Sequence, residues 1–265
     1  MIRALLIRGL RQHARLLGIL SLGLFLFELV LVWVSARIDM GPSFQQLLGS
    51  LLPQGMVDTL FSQFGFASFA GAVSFGYQHP LSLMAGIAMV MVMATLPAHE
   101  RETGLLDLVL ARPVPRTRYL WANAILVVLS ALLPPVALLA GGAVGLALVE
   151  APGAVTWARY IPSATTLALL LLSVGAYTLL FASGAKRRGT ATALGVGLTL
   201  LFYWLDVMGD FWDLLETARI LSPFHFFDPA VAATSGILPR DALVLGGFVV
   251  AATLGAFLNF SRQDL

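Results

Sequence analysis

Cysteine is absent from the 265 residues, so disulfides and thiolate metal sites are excluded, although no compartment follows from that. Charge is scarce as well: Asp, Glu, Lys and Arg make up 11% of the chain, against about 25% in a typical soluble domain. From residue 39 to residue 80 there is no Lys or Arg at all. Apolar side chains fill the space. Hydrophobic residues reach 58% and mean hydropathy is +0.88, which defines an all-α integral membrane protein rather than a soluble domain. At about 20 residues per crossing, the length holds about six helices with short connections, so residues 1–265 read as one transmembrane domain. A pI near 9.3 would suggest nucleic acid in a soluble chain. Here the basic residues follow membrane topology, and no nucleic-acid partner is expected.

Catalytic and metal signatures are missing in the same way. The stretch Gly184 to Thr190 has two glycines at P-loop separation, but Thr190 stands where the lysine belongs and no strand precedes it. His99-Glu100-Arg101-Glu102-Thr103 begins like a zinc-protease helix and lacks the second His, while His13, His79 and His225 are scattered. The expectation is a chain that binds no cofactor or metal and is not itself an enzyme.

Six apolar spans stand out: residues 16–36, 81–98, 119–149, 163–183, 190–206 and 241–260. If the N-terminus is cytoplasmic, the inner segments hold Arg3, Arg8, Arg11, Arg15, Arg101, Arg112, Arg116, Arg118, Lys186, Arg187, Arg188 and Arg262. Only Arg37, Arg159, Arg219 and Arg240 fall outside. This asymmetry puts both termini in the cytoplasm of a multi-pass protein of the cell (inner) membrane. Arg8, Arg11 and Arg15 cluster on one side of a helical wheel, opposite Ile2, Leu5, Leu6 and Leu16, which predicts an interfacial helix over residues 1–15 lying on anionic lipid. The first apolar run is too long for a signal-peptide core and carries Glu28, so it reads as an uncleaved first helix. Residues 39–80 and 207–240 read as extracytoplasmic segments, the second rich in interfacial aromatics.

Glu28 is the carboxylate well inside a span. Such a group costs roughly 2.5 to 3.5 kcal/mol at the centre of a membrane helix and should face protein or water. Either it caps a neighbouring helix or bonds across a dimer interface, or it is an intramembrane polar site. Ala191, Gly195 and Thr199 recur at four-residue spacing, as do Gly141 and Gly145, which allows close helix approach. The first set suits a homodimer seam or a contact within one chain. Pro134-Pro135 should kink the third span.

The polar interruption at residues 99–116 is the most informative segment. Acidic residues crowd its start, Arg112 closes it, and Pro113 and Pro115 stop it, which predicts a charged surface helix. At about 100° per residue, Glu100, Gly104, Asp107 and Ala111 share one face, and Leu105, Leu108 and Val109 the opposite one. On spacing alone it is equally an amphipathic connector.

The run Glu-x-Glu-x-Gly-Leu-Leu-Asp-x-x-Leu-x-Arg-Pro-Val-x-Arg, from Glu100 to Arg116, resembles the cytoplasmic coupling segment of ABC-2 type permeases, the membrane subunits of ABC exporters. Tyr77-Gln78-His79-Pro80, Leu221-Ser222-Pro223-Phe224-His225-Phe226-Phe227-Asp228-Pro229 and the ending Phe260-Ser261-Arg262-Gln263-Asp264-Leu265 add to the resemblance, with Gln263 departing from the family's usual Arg. The resemblance implies a six-helix exporter fold and a prokaryotic membrane complex with a second permease copy, membrane lipids and a separate ATPase subunit that holds ATP and Mg. It also implies that Glu100, Arg101, Glu102, Gly104, Leu105, Leu106, Asp107 and Arg112 couple to that ATPase. Two other readings are an ion-coupled secondary transporter using Glu28 and a membrane subunit of a cofactor or metalloenzyme maturation complex. The first would be expected to show paired broken helices in two repeats, and none is evident.

Overall fold

The computed structural model describes residues 2–37, 49–51, 53, 68–106, 115–149, 155–209 and 212–262. Among them regular structure is helical only. The helices are α1 (Ile2–Ser35), α2 (Phe69–Gln78), α3 (Pro80–Ala94), α4 (Leu96–Glu102), α5 (Arg116–Leu148), α6 (Ile161–Gly184), α7 (Arg188–Gly209), α8 (Asp213–Glu216), α9 (Pro229–Ser235) and α10 (Pro239–Ser261). Short 3-10 turns cover Trp157–Tyr160, Thr217–Leu221 and Pro223–Phe226. Six stretches are long and apolar enough to cross a membrane: Ile2–Ser35, Phe69–Ala94, Thr117–Leu148, Trp157–Gly184, Arg188–Gly209 and Pro239–Ser261.

Two boundaries differ from the sequence reading. The interfacial helix expected over residues 1–15 is not a separate element, because α1 runs unbroken from Ile2 to Ser35. No proline or cap intervenes, and its buried residues Gly9, Leu17, Leu24, Glu28, Val32 and Ser35 form one stripe that continues through both halves. Residues 69–78, placed in the extracytoplasmic segment 39–80, form a helix that joins Pro80–Ala94 in one stretch long and apolar enough to cross a membrane. Here α2 buries Phe69, Ala72, Val73 and Tyr77. It meets α3 at His79, whose Nδ1 accepts the Leu81 N–H at 3.1 Å and caps the new helix at Pro80.

The centre of the bundle is α6, buried at Leu167, Leu170, Leu171 and Val174 among others and enclosed mainly by α3, α5, α7 and α10. Tight approach along α1 and α5 depends on small residues. A Cβ at Gly141 would overlap the Phe25 carbonyl oxygen, and one at Gly145 would lie 2.8 Å from Val32 Cβ. Contacts from Gly9–Leu126 through Phe25–Gly141 to Val32–Gly145 advance in the same direction along both helices, so α1 and α5 lie parallel. Pro134 and Pro135 sit inside α5 without ending it.

The stripe of Ala191, Gly195 and Thr199 on α7 is buried against α6 of the same chain. Thr199 Oγ1 lies 2.5 Å from Tyr177 Oη. A Cβ at Gly195 would come within 2.9 Å of Thr178 Oγ1, and Ala191 packs with Ala98, Ala182 and Ala185. Intrachain packing therefore occupies the face considered as a dimer seam.

At the end of the bundle opposite the Arg-rich one, the loop after α7 is closed by local bonds. Arg219 pairs with Asp206 at 3.1 Å. Ser222 Oγ donates to the Phe202 carbonyl at 2.8 Å and accepts the Phe224 N–H at 3.1 Å. Asp228 caps α9 through the Val231 N–H at 2.8 Å, and Ser163 Oγ reaches the Pro229 carbonyl at 2.7 Å.

Candidate coupling site at the basic end

Over its described residues the charged segment is not one continuous helix. After Pro97 starts it, α4 ends at Glu102, and Gly104 takes a φ of 71°, a left-handed geometry that glycine adopts without strain. Thr103 Oγ1 folds back to the His99 carbonyl at 2.9 Å. A single helix from His99 to Arg112 is thereby corrected: the chain turns at Thr103-Gly104 before Leu105 and Leu106 resume helical geometry. Asp107 and Arg112 lie outside the described residues.

Three consecutive side chains of α4 each grip a different part of the bundle. Glu100, 8% exposed, accepts a hydrogen bond from Tyr119 Oη of α5 at 2.7 Å and pairs with Arg8 of α1 at 3.0 Å. A cavity of about 10 Å³ adjoins it, bounded by Gln12, Tyr119 and Asn123 as well as Glu100, about the size of one water. Arg101 donates to the carbonyls of Ser183 at 3.3 Å and Ala185 at 2.8 Å, the open C-terminal end of α6. Glu102 accepts the backbone N–H of Arg188 at 2.9 Å, the open N-terminal end of α7.

The signs of these last two contacts follow from helix electrostatics. Unpaired carbonyls give a helix C-terminus partial negative charge, and unpaired N–H groups give an N-terminus partial positive charge. Arg101 meets the first and Glu102 the second, so two adjacent residues clasp the turn between α6 and α7. Arg188 reinforces the clasp by donating from Nε to Thr95 Oγ1 at 3.3 Å. Below it, Leu106 is fully buried in a cluster with Tyr119, Leu179 and Phe260. Phe260 stacks on Tyr119 at 5.7 Å, and Asn259 of α10 donates to Ser183 Oγ at 3.2 Å.

Of the predicted site residues, the structure gathers Glu100, Arg101, Glu102 and Leu106 into this junction and leaves Glu102 and Gly104 exposed, with Leu105 partly covered. Glu28 lies elsewhere, buried in the opposite half of α1. Sequence reasoning missed Arg8 as a partner, having assigned it to lipid, and did not single out Tyr119, Ser183 or Ala185. The basic cluster supplied a cation for Glu100, but nothing local in the sequence pointed from one to the other. Among the described residues no three His, Asp or Glu side chains come together as a metal site.

Six apolar stretches, with a charged segment bonded to several of them at one end, describe a multi-pass membrane protein. The sequence model of the ABC-2 family transporter proteins matches residues 10–265, and the chain belongs to that family. A search of curated proteins finds no match.

Proposed function

We propose that this chain is the permease subunit of an ABC exporter, working with a separate ATPase subunit and a second permease copy in a prokaryotic inner membrane. Both termini and α4 face the cytoplasm in this reading. The observation that carries it is the junction at α4, where Glu100, Arg101 and Glu102 join α1, α5, α6 and α7. A push on the segment from residue 99 to residue 116, delivered by an ATPase that binds ATP and Mg, then reaches four membrane helices at once. The exposed residues Glu102 to Gly104 and the neighbouring Lys186 and Arg187 offer polar contacts to the ATPase, while Glu100 and Arg101 hold the segment in place. An amphiphile such as a drug or lipid suits the apolar surface of the bundle.

Reversing charge at both Glu100 and Glu102 is expected to abolish ATPase stimulation and transport in a reconstituted complex while leaving membrane insertion intact. Normal turnover with an unchanged co-purified ATPase would overturn the docking assignment. Topology is checked by cysteines placed in the cysteine-free chain: a thiol at Thr103 or Gly189 should resist an impermeant reagent in intact cells, and one at Gly153 or Ser235 should label.

A further inference from the structure

Glu28 is the buried carboxylate that the junction at α4 leaves unused. Its side chain is fully buried, and neither carboxyl oxygen has a hydrogen-bond partner among the described residues. Three helices close on it. From α2 comes Gly76, where a Cβ would overlap Oε2. From α5 comes Gly142, where a Cβ would lie 3.6 Å from Cγ and 3.8 Å from Oε1. Leu31 of α1 lies beside it, 3.0 Å from the same Cβ position at Gly76. On the Gly76 side the niche is cut so closely that not even a methyl group fits beside the carboxyl.

Among the described residues the groups around it supply no counter-charge. Those that reach it electrostatically are the phenols of Tyr77 from α2 and Tyr160 from the turn before α6. Their rings stack at 6.4 Å, and Tyr160 Oη is directed to the Ala70 carbonyl at 3.4 Å. His79 lies against Phe27 with ring centroids 4.9 Å apart, but its Nδ1 is engaged with the Leu81 N–H. Along the chain the nearest charges, Arg15 and Arg37, are nine or more residues away. The face of α5 offers Gly141 and Gly142. A metal cation would need a shell of several oxygens, and an amine would need volume. Only a proton satisfies a buried carboxylate without occupying space.

We propose that Glu28 is a proton-binding site that reports on closure of α1 against α2 and α5. While the helices are closed the carboxyl holds its proton, because an ionised group without donor or cation is strongly disfavoured in such surroundings. When the helices part and water enters, the O–H bond breaks, the proton passes to water and the carboxylate remains, hydrated. Linkage is reciprocal: binding the proton favours the closed junction, and raising pH on the side from which water enters favours the open one. Glu28 lies nearer Ser35 than the Arg-rich start of α1, so that side is the end away from α4.

The test is infrared spectroscopy of the full chain in lipid nanodiscs without the ATPase, which keeps it independent of the coupling assignment. At neutral pH a protonated-carboxyl stretch is expected that shifts in heavy water, moves with carboxyl-labelled glutamate and is lost in Glu28→Gln. Gly142→Ala, which places a methyl in contact with the Glu28 side chain, should shift the band and gives a second reading if Glu28→Gln accumulates poorly. The thermal midpoint of the wild-type chain should fall as pH rises through the range where the band disappears, and this dependence should be lost in Glu28→Gln. Spectra of the wild type indistinguishable from those of both variants, or identical pH profiles for wild type and Glu28→Gln, would overturn the proposal.

Discussion

Two glutamates are withdrawn from solvent at opposite halves of the bundle, and their surroundings could hardly differ more. Glu100 is met by a guanidinium, a phenol and a small polar cavity. Glu28 is met by two glycines and Leu31, with no partner that bonds it among the described residues. Burial alone therefore says little about what a carboxylate does; its partners decide. The first is a joint, in which a charge satisfied by neighbours holds separate helices in register. The second has nothing to hold on to, and its niche is shaped by the absence of side chains.

The comparison is broken most severely at Gly76. Gly76→Ala would force a methyl into the Glu28 carboxylate, and overpacking of this kind costs about 1 to 3 kcal/mol. Thermal unfolding in detergent should show that loss, and most of it should return in a Gly76→Ala/Glu28→Ala double variant, the coupling expected of groups in contact. If the double variant is as unstable as the two single losses added together, the two residues do not meet.

Next is Glu100→Ala, which strands the Tyr119 hydroxyl, on a residue 1% exposed, and leaves Arg8 without its carboxylate. A lost partner for a buried polar group costs about 1 to 3 kcal/mol. Arg8→Ala should cost less, because its side chain is 41% exposed and such pairs are worth about 1 kcal/mol at most. Equal losses for Glu100→Ala and Arg8→Ala would show that the phenol contributes nothing.

Smaller again is Glu102→Ala, which removes an exposed cap from α7 and should cost about 0.5 to 1 kcal/mol, less at high salt. The smallest effect is expected at Glu28→Gln. If Glu28 holds its proton, the exchange replaces one neutral group by another of the same shape, and the loss on the same melting curves should be smaller than at Glu102→Ala. A loss as large as that of Glu100→Ala would place Glu28 in a bonded, ionised role like its counterpart.

The six crossings were legible because composition alone marks them: long apolar runs separated by Arg, Pro and acidic residues leave few alternatives. The start of the second crossing was not, since Phe69-Ala-Gly-Ala-Val-Ser-Phe-Gly dilutes hydropathy with small residues whose purpose is close packing. Residues 2–15 of α1 were misread for a related reason. Their arginines look like a lipid-facing stripe, and only the three-dimensional position of Glu100 reveals that one of them, Arg8, points at protein. At the charged segment the candidate residues were identifiable from sequence, but their directions were not. Arg101 and Glu102 bind backbone groups 82 to 86 positions away, and backbone carbonyls or N–H groups leave no mark in a pattern of side chains. The turn at Gly104 was legible in principle, since a glycine after a charged turn is an ordinary helix stop.

The continuity of α1 has a mechanical consequence. Thirty-four residues without a break make a rod about 50 Å long, well beyond the roughly 30 Å of bilayer hydrocarbon. Arg8 is fastened near one end and Glu28 lies about 30 Å further along, at 1.5 Å per residue. A stiff helix pinned in this way behaves as a lever: tilting it at the fastened end swings the far carboxyl through an arc of ångströms, with no intervening hinge to absorb the movement.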